Sequence, residues 1–315
     1  MDASLVSNLL WPLLRLLMGM ALALLAANVL EALQWTRYLA RLAAPLARFA
    51  HLRDEAGAAF ALAFLSPAAA NGVLSQAHGE GKLARRELLF ANLFNSFPNF
   101  LVHLPTLFLL TWPVLGPPAA CYAGLCLLAA ATRTLLTMLA ARALLPPLAC
   151  AAPTPLEDKP HKRLRETLQT AWDCFRRRVQ RLVCVTIPVY ILVYLLQKYG
   201  WFEAAQNWLA GHADWLSFLK PQALGIIVLH LAAEMGAALA AAGSVFNTGG
   251  LNASEVVLAL LVGNIVSTPM RAIRHQLPSY AGFFKPLLAL ELVLVNQTLR
   301  AASMICVAWL YWYLG

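Results

Sequence analysis

Apolar segments alternate with short polar stretches along the whole chain. Several of these segments approach or exceed the length of about 20 residues that a helix needs to cross the hydrocarbon core of a membrane. The pattern predicts an all-α polytopic membrane protein. The segments cover residues 9–33, 56–75, 87–110, 119–145, 183–196, 222–244, 256–270 and 286–313.

Two adjacent segments in the first half are interrupted by polar residues and proline. Ser66-Pro67 divides the first of them, and a polar tip at 78–82 follows. An unpaired backbone group in lipid costs several kcal/mol, so broken helices occur only where protein or a watery cavity receives the freed groups. We therefore predict a broken helical hairpin and a second broken helix. The second segment begins at Glu87 and contains Asn92, Asn95, Ser96, Pro98 and Asn99.

A similar pattern returns about 170 residues later. Residues 222–244 form the second predicted interrupted segment, with Glu234 inside it, and Asn247 begins a glycine-rich tip. Paired, interrupted apolar segments in two halves of a chain are typical of transporter binding sites. The spacing slips by a few residues, so the repeat is degenerate. The following apolar run opens at Glu255 and is interrupted at Asn264, Ser267, Thr268 and Pro269.

Charged residues between the segments predict their orientation in the membrane. Arginine and lysine concentrate in cytoplasmic loops, so basic residues on both sides of 56–75 predict a re-entrant hairpin. Arg271, Arg274, His275 and Lys285 are assigned to another cytoplasmic loop. The resulting fold is two inverted repeats, each with a broken or re-entrant helical hairpin and about three transmembrane helices. A bundle of eight complete spans is the alternative.

The same pattern divides the chain into three parts. Residues 1–145 form the first membrane repeat and residues 181–315 the second. Residues 146–180 form a basic cytoplasmic linker with an amphipathic helix. That helix either lies on the anionic inner-leaflet lipid, where each basic residue near the surface contributes roughly 1 kcal/mol, or serves as a solvated connector.

Composition narrows the functional classes. Of the 315 residues, 60% are hydrophobic and 12% charged, with a net charge of +9. This excess is typical of cytoplasmic loops, and few aromatic residues accompany the basic runs, so we expect no nucleic-acid partner. The six cysteines contain no C-x-x-C pair, and the histidines lack a zinc-ligand spacing. With no catalytic set visible, we expect neither an enzyme nor a cofactor or metal.

The residues that interrupt the helices are the candidate binding residues. Neutral amides and hydroxyls suit a small polar solute or a cation, although they also suit hydrogen bonds between helices. Glu234 follows His230 by four positions, and a carboxylate within a membrane is a functional candidate by default. It could bind a cation, relay a proton or pair with Arg133 or Arg300, which could instead meet an anionic ligand group. The candidates are Asn71, Asn92, Asn95, Ser96, Asn99, Glu234, Asn247, Asn264, Ser267 and Thr268.

The interrupted segments resemble the Gate family, also called nucleoside-recognition domains. The similarity rests on the stretches 66–72 and 92–98 and on their echoes at 243–250 and 264–269. The family includes spore maturation proteins A and B and the membrane part of the ferrous iron transport B protein. The resemblance implies Gate-like cores at about 56–145 and 222–313, paired inverted repeats around a central site, and a bacterial inner-membrane location.

Two hypotheses follow for the function. The first is a transporter-like protein that binds a small polar solute or ion between its halves with alternating access. The alternative is a non-transporting accessory subunit of an envelope assembly, which docks through the basic linker. The bilayer is a partner in both cases, and either fits a homo-oligomer.

Overall fold

The computed structural model describes residues 10–32, 43–146 and 219–314, together with scattered positions between 169 and 199. The regular elements in the three ranges are helical. Numbered in chain order, they are α1 (Trp11–Ala32), α2 (Ala43–Phe49), α3 (Asp54–Ala63), α4 (Pro67–Gly79), α5 (Arg85–Leu115), α6 (Pro117–Leu144), α7 (Pro221–Asn247), α8 (Ala253–Val266), α9 (Thr268–Arg271), a π-helical turn (Ala272–Gln276), α10 (Leu277–Ala281) and α11 (Pro286–Leu314).

Long apolar helices confirm the prediction of an all-α membrane protein. Within the described ranges, α5, α6 and α11 are long and apolar enough to cross a membrane. Their outer faces carry large apolar side chains, such as Leu136 at 60% exposure and Leu287 at 84%. Large apolar surfaces of this kind mark contact with lipid or protein.

The predicted break at Ser66-Pro67 is confirmed. Helix α3 ends at Ala63 and α4 begins at Pro67, and the two helices pack against each other. The Ser66 Oγ accepts a hydrogen bond from the Ala69 N–H at 3.2 Å. Proline at the first helical position after a serine cap is a favourable helix start, so the local sequence explains the break.

The predicted break in the next segment is wrong. Helix α5 is continuous over 31 residues, although Pro98, Pro105 and Pro113 lie inside it. Prolines are tolerated in membrane helices where neighbouring helices and hydroxyl side chains compensate the backbone. The prolines free the carbonyls of Phe94, Leu101 and Leu109, and the helices packed around α5 keep it helical through these positions.

In the second half, the first predicted segment is continuous and the second is broken, the reverse of the first half. The segment 222–244 is not interrupted, because α7 is one helix of 27 residues. At 1.5 Å per residue it is about 40 Å long, enough to cross a bilayer. The break predicted at Ser267-Thr268-Pro269 is confirmed, since α8 ends at Val266 and a short helix, a π-helical turn and another short helix follow.

Both halves share one turn design before their polar helices. Gly81 and Gly249 have positive φ angles of 73° and 75°, the left-handed conformation that favours glycine. Glu87 accepts from the Ala84 N–H, and Glu255 from the Asn252 N–H, at 2.8 Å in each case. These carboxylates cap helices α5 and α8, so their repeated positions have a structural cause.

Apolar packing forms two cores that flank the polar residues. One core joins α7 and α8 to parts of α1, α5, α6 and α11, and buries the alanine-rich stretch 237–242 almost completely. The other joins α2, α3, α4 and α5 to the start of α11. Small residues in membrane helices allow close backbone approach, which explains the alanine-rich interface.

Several predicted features lie outside the described residues. They include most of the basic linker at 146–180, most of the span at 183–196, and the chain between 33 and 42.

Gly19 provides a test of the packing between α1 and α5. A Cβ atom at this position would lie 2.7 Å from the Pro113 Cβ, whereas a Cβ at Gly124 on α6 would meet nothing within 4 Å. We expect Gly19→Ala to lower stability by about 1–3 kcal/mol through overpacking. Thermal unfolding in detergent measures this change.

Gly124→Ala is the matched control, because it adds the same methyl group to an open helical position. It should leave the unfolding temperature unchanged or slightly raised. Equal effects of the two substitutions would contradict the described contact between α1 and α5.

Candidate functional site

The first polar cluster joins α4, α5 and α10. The Asn92 Nδ2 donates to the Tyr280 hydroxyl at 3.1 Å and lies 3.5 Å from the Asn71 Oδ1. Both asparagines are buried, and Asn92 is only 1% exposed. The cluster therefore connects two helices of the first half to the broken segment of the second half.

The second polar cluster centres on Asn264 near the end of α8. Its Nδ2 donates to the Tyr122 hydroxyl on α6 at 3.0 Å. Its Oδ1 accepts from the Arg300 Nη2 on α11 at 2.7 Å, and the Arg271 Nη1 lies 3.5 Å away. One buried amide thus holds together a tyrosine of the first half and arginines of the second.

The two clusters are reciprocal. Asn92 of the first half contacts Tyr280 of the second, whereas Asn264 of the second half contacts Tyr122 of the first. Each asparagine lies on the helix that follows a glycine turn and a capping glutamate. The halves are therefore linked through two neutral amide–hydroxyl pairs.

The hydroxyls at the second helix break satisfy the local backbone. Ser267 and Thr268 both donate to the Asn264 carbonyl oxygen at 3.1 Å. The Ser267 Oγ also accepts from the Arg271 Nη2 at 3.0 Å. These two residues support the position of Asn264 and Arg271, in addition to any contact with a ligand.

Arginines project into the same region from three elements. The Arg133 Nη2 on α6 donates to the Ser96 hydroxyl at 3.2 Å. Arg300 lies close enough to Arg271 and Arg133 to experience the positive charge of both. Three guanidinium groups therefore lie in this part of the structure.

Some buried polar atoms in the described part of the chain have no hydrogen-bond partner. They include both amide atoms of Asn95, the Nε of Arg133, the Nδ1 of His230 and the Oε1 of Gln297. Buried polar groups are nearly always hydrogen-bonded in folded proteins, and exceptions point to function or to bound solvent and ligands. Asn95 and Arg133 adjoin the same residue, Ser96.

The structure brings most of the sequence candidates together but separates others. Asn99 is partly buried on α5, and Asn247 is exposed at the end of α7. Glu234 lies within α7, but its side chain is outside the described residues, and so are its predicted pairs with Arg133 or Arg300. The remaining candidates lie in or beside the two clusters.

The sequence did not indicate three important contributors. Tyr122 and Tyr280 occur as single aromatic residues in apolar or mixed stretches, where nothing distinguishes them from packing residues. Arg271 was assigned to a cytoplasmic loop, whereas the structure places it on α9 against Asn264 and Ser267. Its position one turn after a helix break was the signal available.

Comparisons with known proteins find two relatives, both of them named as uncharacterized proteins. No protein-family model matches the chain, and no solved structure matches it. "Uncharacterized protein MJ0871" of Methanocaldococcus jannaschii is 28% identical over 237 residues, covering 75% of this chain and 73% of the relative. "Uncharacterized protein MJ1556" of the same archaeon is 25% identical over 257 residues, covering 80% of each chain.

The Asn264–Tyr122 pair is testable by substitution. Tyr122→Phe removes the hydroxyl and leaves a buried amide donor of Asn264 without that partner. We expect a loss of about 0.6–1.7 kcal/mol, the range measured for hydrogen bonds between membrane helices. A double-mutant cycle with Asn264→Leu, followed by unfolding in detergent, isolates the coupling between the two side chains.

Tyr313→Phe serves as the control, since Tyr313 is 69% exposed near the end of α11. It should have no measurable effect on unfolding. A coupling energy of zero in the double-mutant cycle would contradict the pairing of Tyr122 with Asn264.

Proposed function

We propose that this chain is a transporter-like, multi-pass protein of the cytoplasmic membrane. It binds a small polar solute or ion between two Gate-like halves and exposes it to each side of the membrane in turn. The observation that carries this proposal is the reciprocal pairing of Asn92 with Tyr280 and of Asn264 with Tyr122. The resemblance to a bacterial inner-membrane family supports this location.

The pairs have the chemistry expected of contacts that form and break during alternating access. Each is a neutral hydrogen bond, and such bonds between membrane helices average about 0.6 kcal/mol. A solute with amide or hydroxyl groups can replace either partner at similar energy. A buried ion pair would resist opening much more strongly, because separating its partners leaves an uncompensated charge.

The broken segment between α8 and α11 supplies the moving part in this proposal. It contains two short helices and a π-helical turn, and such turns occur frequently at functional sites. Arg271 and Tyr280 at its two ends contact the second and first cluster respectively. A displacement of this segment would therefore change both clusters together.

The arrangement suits inverted repeats and binding rather than catalysis. Amides, hydroxyls and guanidinium groups make up both clusters, and these groups hold ligands without a nucleophile–base pair. We therefore propose neither an enzymatic reaction nor a cofactor. The alternative function remains an accessory subunit that docks through the basic linker on anionic lipid or on a partner.

A thermal-shift panel on the purified protein in detergent tests solute binding. It contains nucleosides, nucleobases, divalent metals, organic anions and sodium. A ligand at 100 times its dissociation constant should add roughly 2.7 kcal/mol of stability. We expect one class of solute to raise the unfolding temperature, and Asn92→Ala and Glu234→Gln to reduce that shift.

Asn247→Ala is the matched control, because this asparagine is exposed at the end of α7. It should retain the full shift. If a well-folded protein responds to no member of the panel, solute binding is contradicted. If deletion of residues 162–181 then abolishes a complex with a membrane partner, the accessory function takes its place.

A further inference from the structure

Two arginines lie in the middle of long membrane helices. Arg133 is on α6 and is 7% exposed, while Arg300 is on α11 and is partly buried. A charged side chain at the centre of a membrane helix is costly and nearly always faces the protein interior or a watery cavity. Such positions call for a counter-charge or for a function.

The hydrogen-bond partners of both arginines are neutral. Arg133 donates to the Ser96 hydroxyl and Arg300 to the Asn264 amide oxygen. Each of these contacts occupies one Nη2, although a guanidinium group carries five N–H donors. In the described part of the chain, no carboxylate forms an ion pair with either arginine, and the Arg133 Nε is buried without any partner.

The positive charges of Arg133 and Arg300 favour an anionic ligand over a cationic one. Arg133 and Arg300 are both positively charged and lie on helices that pack against each other, so a cation entering between them would meet two like charges. An anion entering there would be attracted by both guanidinium groups. Oxyanions also match the planar fork of guanidinium groups, which bind carboxylate and phosphate through paired, charge-assisted hydrogen bonds.

Neighbouring groups fit the same class of ligand. The amide of Asn95 is 8% exposed, has no hydrogen-bond partner, and is adjacent to the serine that Arg133 contacts. Its Nδ2 is a buried donor that an oxyanion could accept from. Because Arg133 belongs to the first half and Arg300 to the second, one ligand would connect the two halves.

We propose that the solute is a small oxyanion, a carboxylate or a phosphate, bound by the guanidinium groups of Arg133 and Arg300. This inference rests on the proposed function and narrows its solute from any polar molecule or ion to an anion. It assigns the two arginines as binding residues rather than as structural partners of Glu234.

Isothermal titration calorimetry on the full chain in detergent tests the proposal. The probes are succinate, inorganic phosphate, the neutral analogue succinamide, and sodium as its chloride. We expect succinate or phosphate to bind the unaltered protein, and succinamide and sodium chloride not to bind. Arg133→Gln and Arg300→Gln should each weaken binding by roughly tenfold or more, since hydrogen bonds to charged groups contribute about 1.5–3 kcal/mol.

Arg142→Gln is the matched control on the same helix as Arg133. Arg142 donates to the Phe49 carbonyl at 3.0 Å and lies over the Phe49 ring, near the end of α6. Its removal should leave the affinity unchanged. If the glutamine variants do not fold, Arg133→Lys and Arg300→Lys take their place in the test. These variants keep the charge but lose the planar fork, so they should also weaken binding.

The outcomes separate this inference from the proposed function. Tight binding of succinate with weak binding of phosphate, or the reverse, identifies the oxyanion. Binding of a neutral solute or a cation that survives in the folded arginine variants would overturn the anion assignment and leave the proposed function standing. Absence of binding to these probes and to the wider solute panel, in a folded protein, would overturn both.

Discussion

The buried asparagines that link the two halves of this membrane protein find their partners within the protein, and that constraint organises the helices. In hydrocarbon an unsatisfied amide or hydroxyl costs several kcal/mol. The chain meets the requirement across its two halves, with Asn92 against Tyr280 and Asn264 against Tyr122. These contacts position α5 against α10 and α6 against α8, so the polar pairs determine how the apolar surfaces meet.

The same constraint explains which helix breaks could be predicted from the sequence. Ser66-Pro67 and Ser267-Thr268-Pro269 both combine a hydroxyl with a following proline, and both interrupt a helix. Pro98 belongs to a similar string, yet α5 continues through it. The sequence shows only that a proline removes one backbone N–H donor from the helix. Whether the helix continues through the proline depends on the helices packed around it.

The candidate site was only partly predictable for a related reason. Sequence identifies the type of residue and its depth in an apolar segment, and this was sufficient for Asn71, Asn92, Ser96 and Asn264. It does not identify the partner, so the tyrosines remained indistinguishable from packing residues. Arg271 was assigned to a loop because the positive-inside rule treats an arginine at the end of an apolar run as a loop residue. The structure has it on the short helix α9.

The spacing of matching residues shows where the two halves differ in length. Glu87 and Glu255 are 168 positions apart, whereas Pro105 and Pro278 are 173 apart. The second half therefore holds five extra residues between its capping glutamate, Glu255, and Pro278. Four of the five precede Asn264 on α8, because Asn264 follows Glu255 by nine positions whereas Asn92 follows Glu87 by five. The two halves share a capped polar helix, but only the second has the interrupted segment that places Arg271 beside Asn264.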